Sequence, residues 1–158
     1  MAVFNFIDSI ELSLNNFCNL QCVGCSSLSK GNHLATQLDF NKTIKVISGL
    51  SPRRIVLCGN NGEPTEHTEF GEVVLKLGEA FKDSELHVST NGELLKEALS
   101  NIDLSKLSEH LLFEISIDGI DEEKHILTRQ KGSLLKVYES LEFLKEKNLN
   151  FQIVYTRH

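Results

Sequence analysis

The chain has 158 residues, 41% of them hydrophobic and 24% charged, with a formal net charge of −6. These values fit one globular domain able to bury a core, and they exclude a disordered tail or a repeat array. With no basic cluster beyond Arg53-Arg54, no apolar run of membrane-spanning length, and no basic start or cleavage site in Met1 to Glu11, no nucleic-acid footprint, membrane span or signal peptide is read. The chain is therefore expected in the cytoplasm with reduced thiols, which argues against pairing its four cysteines as disulfides.

Five strand-like runs alternate with helical ones. A first strand is predicted over Ile10–Asn15, and a second, continuously apolar, over Arg54–Cys58. The third covers Glu85–Thr90, the fourth Leu111–Ile117 and the fifth Phe151–Thr156. Helical spacing appears in Phe40, Ile44, Ile47 and Leu50, then in Phe70, Val73, Val74, Leu77 and Phe81. It returns in Leu94, Leu95, Ala98 and Leu99, and in Leu134, Val137, Tyr138, Leu141 and Leu144 behind an N-cap at Ser133. Strand alternating with helix implies an α/β fold with a parallel sheet. Strands one, three and four alternate apolar with polar residues, unlike strands covered on both faces. Their polar sides, with Glu11, His87 and Glu114, are expected to line a concave inner face and to be candidates for substrate contact or proton handling.

The chemistry-bearing residues follow the strands. After strand one comes Cys18-Asn-Leu-Gln-Cys22-Val-Gly-Cys25. Three thiols at this spacing can wrap a soft metal group from a loop. Zinc would want a fourth ligand, with Cys58 or His33 the candidates, whereas three thiolates suit an iron–sulfur cube with one iron left open. After strand two comes Gly59-Asn60-Asn61-Gly62-Glu63-Pro64, whose glycines allow close backbone approach and whose carboxylate can accept from an ammonium group. Ser89-Thr-Asn91-Gly92 and Ser116-Ile-Asp118-Gly119 follow strands three and four; alone, each reads as a turn. In parallel α/β folds all of these lie at the C-terminal sheet edge, where sites are built. Cys58, at the end of an apolar strand, reads as a buried inert thiol, and His67 as a helix-start residue.

The cysteine motif resembles the signature of the radical S-adenosylmethionine (radical SAM) superfamily, and the resemblance covers residues 8 to 158. It implies a partial (βα) barrel, here with four βα units and a fifth strand where the family's full core has six units, in a single domain over residues 1–158. It implies a [4Fe–4S] cluster on Cys18, Cys22 and Cys25, and S-adenosyl-L-methionine on the fourth iron. Reductive cleavage to a 5′-deoxyadenosyl radical would then abstract a substrate hydrogen, with an external one-electron reductant. Gly59-Asn-Asn-Gly62-Glu63-Pro64 is similar to the family's Gly-Gly-Glu-Pro loop, which implies that its backbone and Glu63 meet the cofactor amine. By the same resemblance Ser89, Asn91, Ser116 and Asp118 line the cofactor cavity, and Arg129, ahead of Gly132-Ser133, pairs with the cofactor carboxylate. Gly24 stands where the family often has an aromatic residue near the adenine.

The Ser-Ile-Asp-Gly and Arg-x-x-Gly-Ser segments are similar to branches that modify peptides and proteins, so a peptide or protein substrate is expected. The alternatives are an activase for a glycyl-radical enzyme, a non-catalytic module binding the cluster and cofactor, and a zinc-stabilised interaction domain. A short form, a fragment and a subunit completed by another chain all fit the length, and self-association or a completing partner is expected at the fifth strand.

Overall fold

A computed structural model describes residues 6–25, 34–59 and 62–155. Asn60 and Asn61 of the glycine loop, His33 and Thr156 lie outside the described residues. Five strands form one parallel sheet in the order β1 (Phe6–Leu12), β2 (Ser51–Leu57), β3 (Glu85–Thr90), β4 (Leu111–Ile117) and β5 (Phe151–Tyr155). Each strand lies beside the next in chain order, joined by helices α1 (Phe40–Ile47), α2 (Phe70–Ala80), α3 (Leu95–Leu99), α4 (Glu122–Thr128) and α5 (Leu134–Glu146). The architecture is a partial (βα) barrel. Among the described residues, no helix is long and apolar enough to cross a membrane.

The sheet has two chemically distinct faces. Ile55, Leu57, Leu86, Val88, Phe113 and Ile115 are almost fully buried and join one cluster with Phe70, Val73, Leu77, Leu95, Leu99, Val137 and Leu144 from the helices. The opposite face carries Arg54, His87, Ser89, Glu114 and Ser116, all only partly buried. His87 Nδ1 lies 3.2 Å from Glu114 Oε1, which also accepts from Gln152 Nε2 at 2.8 Å. Arg54 donates to Glu85 at 2.8 Å. The alternation read from strands three and four thus marks a polar inner face over an apolar helix-packed one.

Several expectations need correction. β1 runs seven residues from Phe6 rather than from Ile10, because Phe6 pairs Ser51 and Leu12 pairs Leu57. Asp8-Ser9 disguised its first half. Beyond Leu12 the chain leaves the sheet: Leu14 O accepts from Leu38 N at 2.7 Å, and Asn15 bridges Gln37. β2 begins at Ser51 and includes Pro52, in a stretch paired to β1 before the β3 ladder starts at Arg54; a proline is tolerated where only one neighbour needs its backbone. β2 ends at Leu57, leaving Cys58 outside it.

Helix α4 is absent from the sequence reading, which has no helix between strand four and Leu134. Its apolar residues face the wrong way for detection: Ile126 is 43% and Leu127 67% exposed, while the residue it buries is His125. The helix starts on Asp121, whose carboxylate accepts from Lys124 N at 2.9 Å. Ser133 does precede α5, but its hydroxyl makes no cap; carboxylates from elsewhere serve the first amides, Glu93 at Ser133 N and Glu122 at Leu134 N. Gly92 has φ +81, and a Cβ there would stand 2.8 Å from Ile115 Cγ2, so the turn after β3 needs glycine.

Two predictions follow from this packing. Phe113 is fully buried at the sheet centre, and Phe113→Ala should cost about 3–5 kcal/mol in urea unfolding. His125 is fully buried, and neither ring nitrogen has a hydrogen-bond partner among the described residues. Burial, with Arg129 adding to it, holds its pKa below the usual imidazole value, against the opposing pull of Glu122, Asp118 and Glu93. Below about pH 6.5 the unfolded chain therefore binds a proton that the folded chain refuses, so stability falls as pH drops through this window. Urea midpoints compared between about pH 7.5 and 5.5 should fall less steeply in His125→Leu than in the parent.

Candidate functional site

The loops after β1, β2, β3 and β4 converge on one cavity of about 330 Å³, lined by Cys18, Leu20, Cys22, Cys25, Cys58, Gly59, Gly62, Glu63, Ser89, Thr90, Asn91, Ser116 and Arg129. All three thiols of the cysteine motif are here. So are the expected residues Gly59, Gly62, Glu63, Ser89, Asn91, Ser116 and Arg129. Asp118 is not in the lining; it lies behind Arg129, accepting from its Nε at 2.8 Å. Asn60 and Asn61 fall outside the described residues.

The cysteine loop is held by each of its neighbours. From the loop after β2, Glu63 N donates to Phe17 O at 2.8 Å and Glu63 O accepts from Asn15 Nδ2 at 2.7 Å. From the segment after β4, Thr128 O accepts from Val23 N at 2.8 Å and Gln130 O from Gln21 N at 2.9 Å. From the loop after β3, Asn91 Nδ2 donates to Asn19 Oδ1 at 2.8 Å, and Glu93 Oε2 accepts from Asn19 Nδ2 at 2.9 Å. Gly62 makes the first contact feasible. A Cβ there would meet the Asn15 Oδ1 atom and come within 2.5 Å of Phe17 O. Within the same loop a Cβ on Gly59 would meet the Gly62 carbonyl oxygen. Gly24 has φ +76 with open space around its Cβ position, so a left-handed turn separates Cys22 from Cys25.

Among the described residues the cavity lining carries one carboxylate, Glu63, and one cation, Arg129. Glu63 is 4% exposed. Its carboxylate accepts from Thr65 N and Oγ1, Thr90 Oγ1 and Asn91 N. Burial raises its pKa, against the lowering effect of those four donors. These contacts tie the loop after β2 to the one after β3. Cys18 lies at the exposed rim of the cavity, yet desolvation of its sulfur, with smaller contributions from Glu63 and Cys22, pushes the thiol up to about 12. Desolvation also raises Cys22, opposed by Arg129. Arg129 is largely buried, and its terminal nitrogens have no protein partner among the described residues.

Cys58 is corrected here. It is half-buried and lines the cavity with the other three thiols, because alternation along β2 turns Ile55 and Leu57 to the helices and Cys58 to the inner face. His67 is structural: its Nδ1 accepts from Glu69 N, so its Nε2 carries the proton donated to Leu38 O at 3.1 Å.

Whether these residues suit an iron–sulfur cluster turns on the donor set. A single zinc ion would draw its ligands to about 2.3 Å from one point. Among the described residues no three Cys, His, Asp or Glu side chains are grouped to hold one metal ion. Three thiols spread around one cavity fit a polynuclear cluster, whose corners each take a separate sulfur. Sequence reasoning missed Asn19, Thr90 and Glu93, which hold the ligand loops; Glu93 in Asn-Gly-Glu directly after a strand was the available signal.

Comparison with known proteins places this geometry in context. Residues 12–157 match the radical SAM superfamily. Among curated proteins, GTP 3′,8-cyclase of Clostridium perfringens (strain SM101 / Type A) is 24% identical over 152 residues, covering 93% of this chain and 46% of that protein. GTP 3′,8-cyclase of Helicobacter pylori (strain ATCC 700392 / 26695) is 28% identical over 144 residues, covering 86% and 42%. The chain thus spans less than half the length of these relatives. Among solved structures, Streptococcus suis SuiB bound to precursor peptide SuiA aligns with a TM-score of 0.72 at 17% identity, over 94% of this chain and 33% of that one. Native anSMEcpe with bound AdoMet aligns with a TM-score of 0.66 at 24% identity, over 93% and 43%. With the profile matching nearly the whole chain and the fold repeated in these structures, this chain belongs to the radical SAM superfamily.

Proposed function

We propose that this chain is the cluster- and S-adenosylmethionine-binding core of a radical enzyme acting on a peptide or protein. The observation that carries this reading is the gathering of Cys18, Cys22 and Cys25 into one cavity with Gly62, Ser89, Ser116 and Arg129. When bound, a [4Fe–4S] cluster and S-adenosylmethionine supply an electron and a 5′-deoxyadenosyl radical able to abstract a substrate hydrogen.

The chain's own residues then have distinct tasks. Cys18, Cys22 and Cys25 hold the cluster. Gly59 and Gly62 shape a loop whose backbone receives the amino-acid end of the cofactor, while Glu63, saturated by protein donors, keeps that loop in place from behind. Arg129 offers its unpartnered terminal nitrogens to a carboxylate, its Nε anchored on Asp118. Ser89, Asn91 and Ser116 supply short polar contacts along the cavity wall. On the same inner face, the hydrogen-bonded His87–Glu114–Gln152 group gives the lumen a polar floor for substrate or proton handling.

The peptide reading is supported by likeness to SuiB, whose structure holds a precursor peptide. The relatives named GTP 3′,8-cyclase favour a second reading, in which the substrate is a guanine nucleotide. β5, whose residues Gln152 to Tyr155 are exposed, is where further chain or a partner would complete the lumen.

Anaerobic reconstitution with iron and sulfide tests the core of the proposal. About four irons per chain and a broad visible absorption are expected, with 5′-deoxyadenosine released on reduction in the presence of S-adenosylmethionine. Cys22→Ala should lose the cluster, and Gly62→Ala should take up less iron because its methyl displaces Phe17 at the head of the ligand loop. Uptake of a single zinc and no visible band would overturn the reading. Arg129→Lys should weaken S-adenosylmethionine binding about tenfold or more in equilibrium dialysis, the loss expected for a charge-assisted hydrogen bond.

A further inference from the structure

The polar side chains around Cys18 are arranged with a direction. Asn91 and Glu93 are 6% and 7% exposed, so the orientation of each polar group matters energetically. The backbone N–H of Glu93 can only donate, and it donates to Asn91 Oδ1 at 3.0 Å. The carboxylate of Glu93 accepts from Asn19 Nδ2 at 2.9 Å and from the backbone N–H of Ser133. These two contacts fix which end of each amide is nitrogen. Asn19 must then present its oxygen to Asn91, and Asn91 Nδ2 meets it at 2.8 Å. Asn91 Nδ2 also lies 3.8 Å from Cys18 Sγ.

As a thiol, Cys18 can donate to Asn19 Oδ1, 3.8 Å away. As a metal-bound thiolate it can only accept, and two donors face it: Leu20 N at 3.4 Å and Asn91 Nδ2. The backbone donor belongs to the cysteine loop itself. The side-chain donor comes from the far side of the cavity, after β3.

Building on the cluster-binding reading above, we propose that Asn91 donates a hydrogen bond to the Cys18 sulfur and tunes the reduction potential of the cluster held there, and that Glu93 is the positioning residue that aims this donor. Hydrogen bonds to cluster sulfurs favour the reduced, more negative state, so they raise the potential. Glu93 acts through two asparagines, and it ties them to the start of α5.

The test is a reductive titration of the anaerobically reconstituted chain, followed by visible absorption and electron paramagnetic resonance. Asn91→Ala should keep the parent's iron content and shift the midpoint potential to a more negative value. Glu93→Gln separates orientation from charge. Removing a nearby negative charge would by itself raise the potential. In the glutamine variant the carbonyl is claimed by Ser133 N, which cannot turn, so an NH2 group faces Asn19 and reverses that amide; the NH2 groups of Asn19 and Asn91 then oppose each other, so the negative shift caused by Asn91→Ala should be smaller in the Glu93→Gln background than in the parent. An unchanged potential in Asn91→Ala, an equal Asn91→Ala shift in the parent and Glu93→Gln backgrounds, or loss of the cluster from Asn91→Ala while the parent binds it would each overturn the proposal. Should Asn91→Ala lose its fold by circular dichroism, Asn91→Ser keeps an acceptor for Glu93 N and is read the same way. Failure of the parent itself to bind about four irons is a separate outcome, because it overturns the functional reading beneath the proposal.

Discussion

A loop that carries three cysteines within eight residues has little apolar surface with which to hold itself in place. Here it is held by hydrogen bonds from outside. Phe17 and Asn15 are engaged by Glu63, Asn19 by Asn91 and Glu93, and Gln21 and Val23 by the chain at Thr128 and Gln130. Each set comes from a different post-strand loop. The cysteine loop is thus the one segment that all the other site loops touch, and the cavity exists because they meet there.

Three buried carboxylates make those meetings rigid. Glu63 gathers four donors and joins the second loop to the third. Glu93 joins the third loop to the first and to the head of α5. Asp118 joins the fourth loop to Arg129. A carboxylate accepts several hydrogen bonds and donates none, so it suits a crossing of several backbone and amide N–H groups that would otherwise be buried without partners. These acids are largely shielded from solvent and spend lone pairs on protein; only Glu63 of the three also lines the described cavity, beside short neutral side chains, thiols and one guanidinium.

Much of this was legible in the sequence. The parallel sheet follows from the alternation of strand and helix, and the convergence of post-strand motifs follows from the geometry of any parallel α/β unit. What escaped was of two kinds. Helix α4 was hidden because it buries a histidine and exposes isoleucine and leucine, the reverse of the pattern that reveals an amphipathic helix. The roles of Glu63, Asn19 and Glu93 were hidden because a carboxylate or amide carries no mark of whether it faces a ligand or another loop. Asn19 and Glu93 are 74 residues apart, and only the fold brings them together. Cys58 was misread for a related reason: a strand with apolar residues on both faces does not say which face its last residue joins.

The sequential strand order has a consequence for how the site comes into being. Every strand is laid against the one made just before it, so the sheet can grow from one edge as the polypeptide leaves the ribosome. The cysteine motif is made before the segment that closes over Gln21 and Val23, which comes only with Thr128 and Gln130. Through that interval the sulfurs have no finished enclosure. The enclosure around the sulfurs is therefore finished only after nearly the whole described chain has been made.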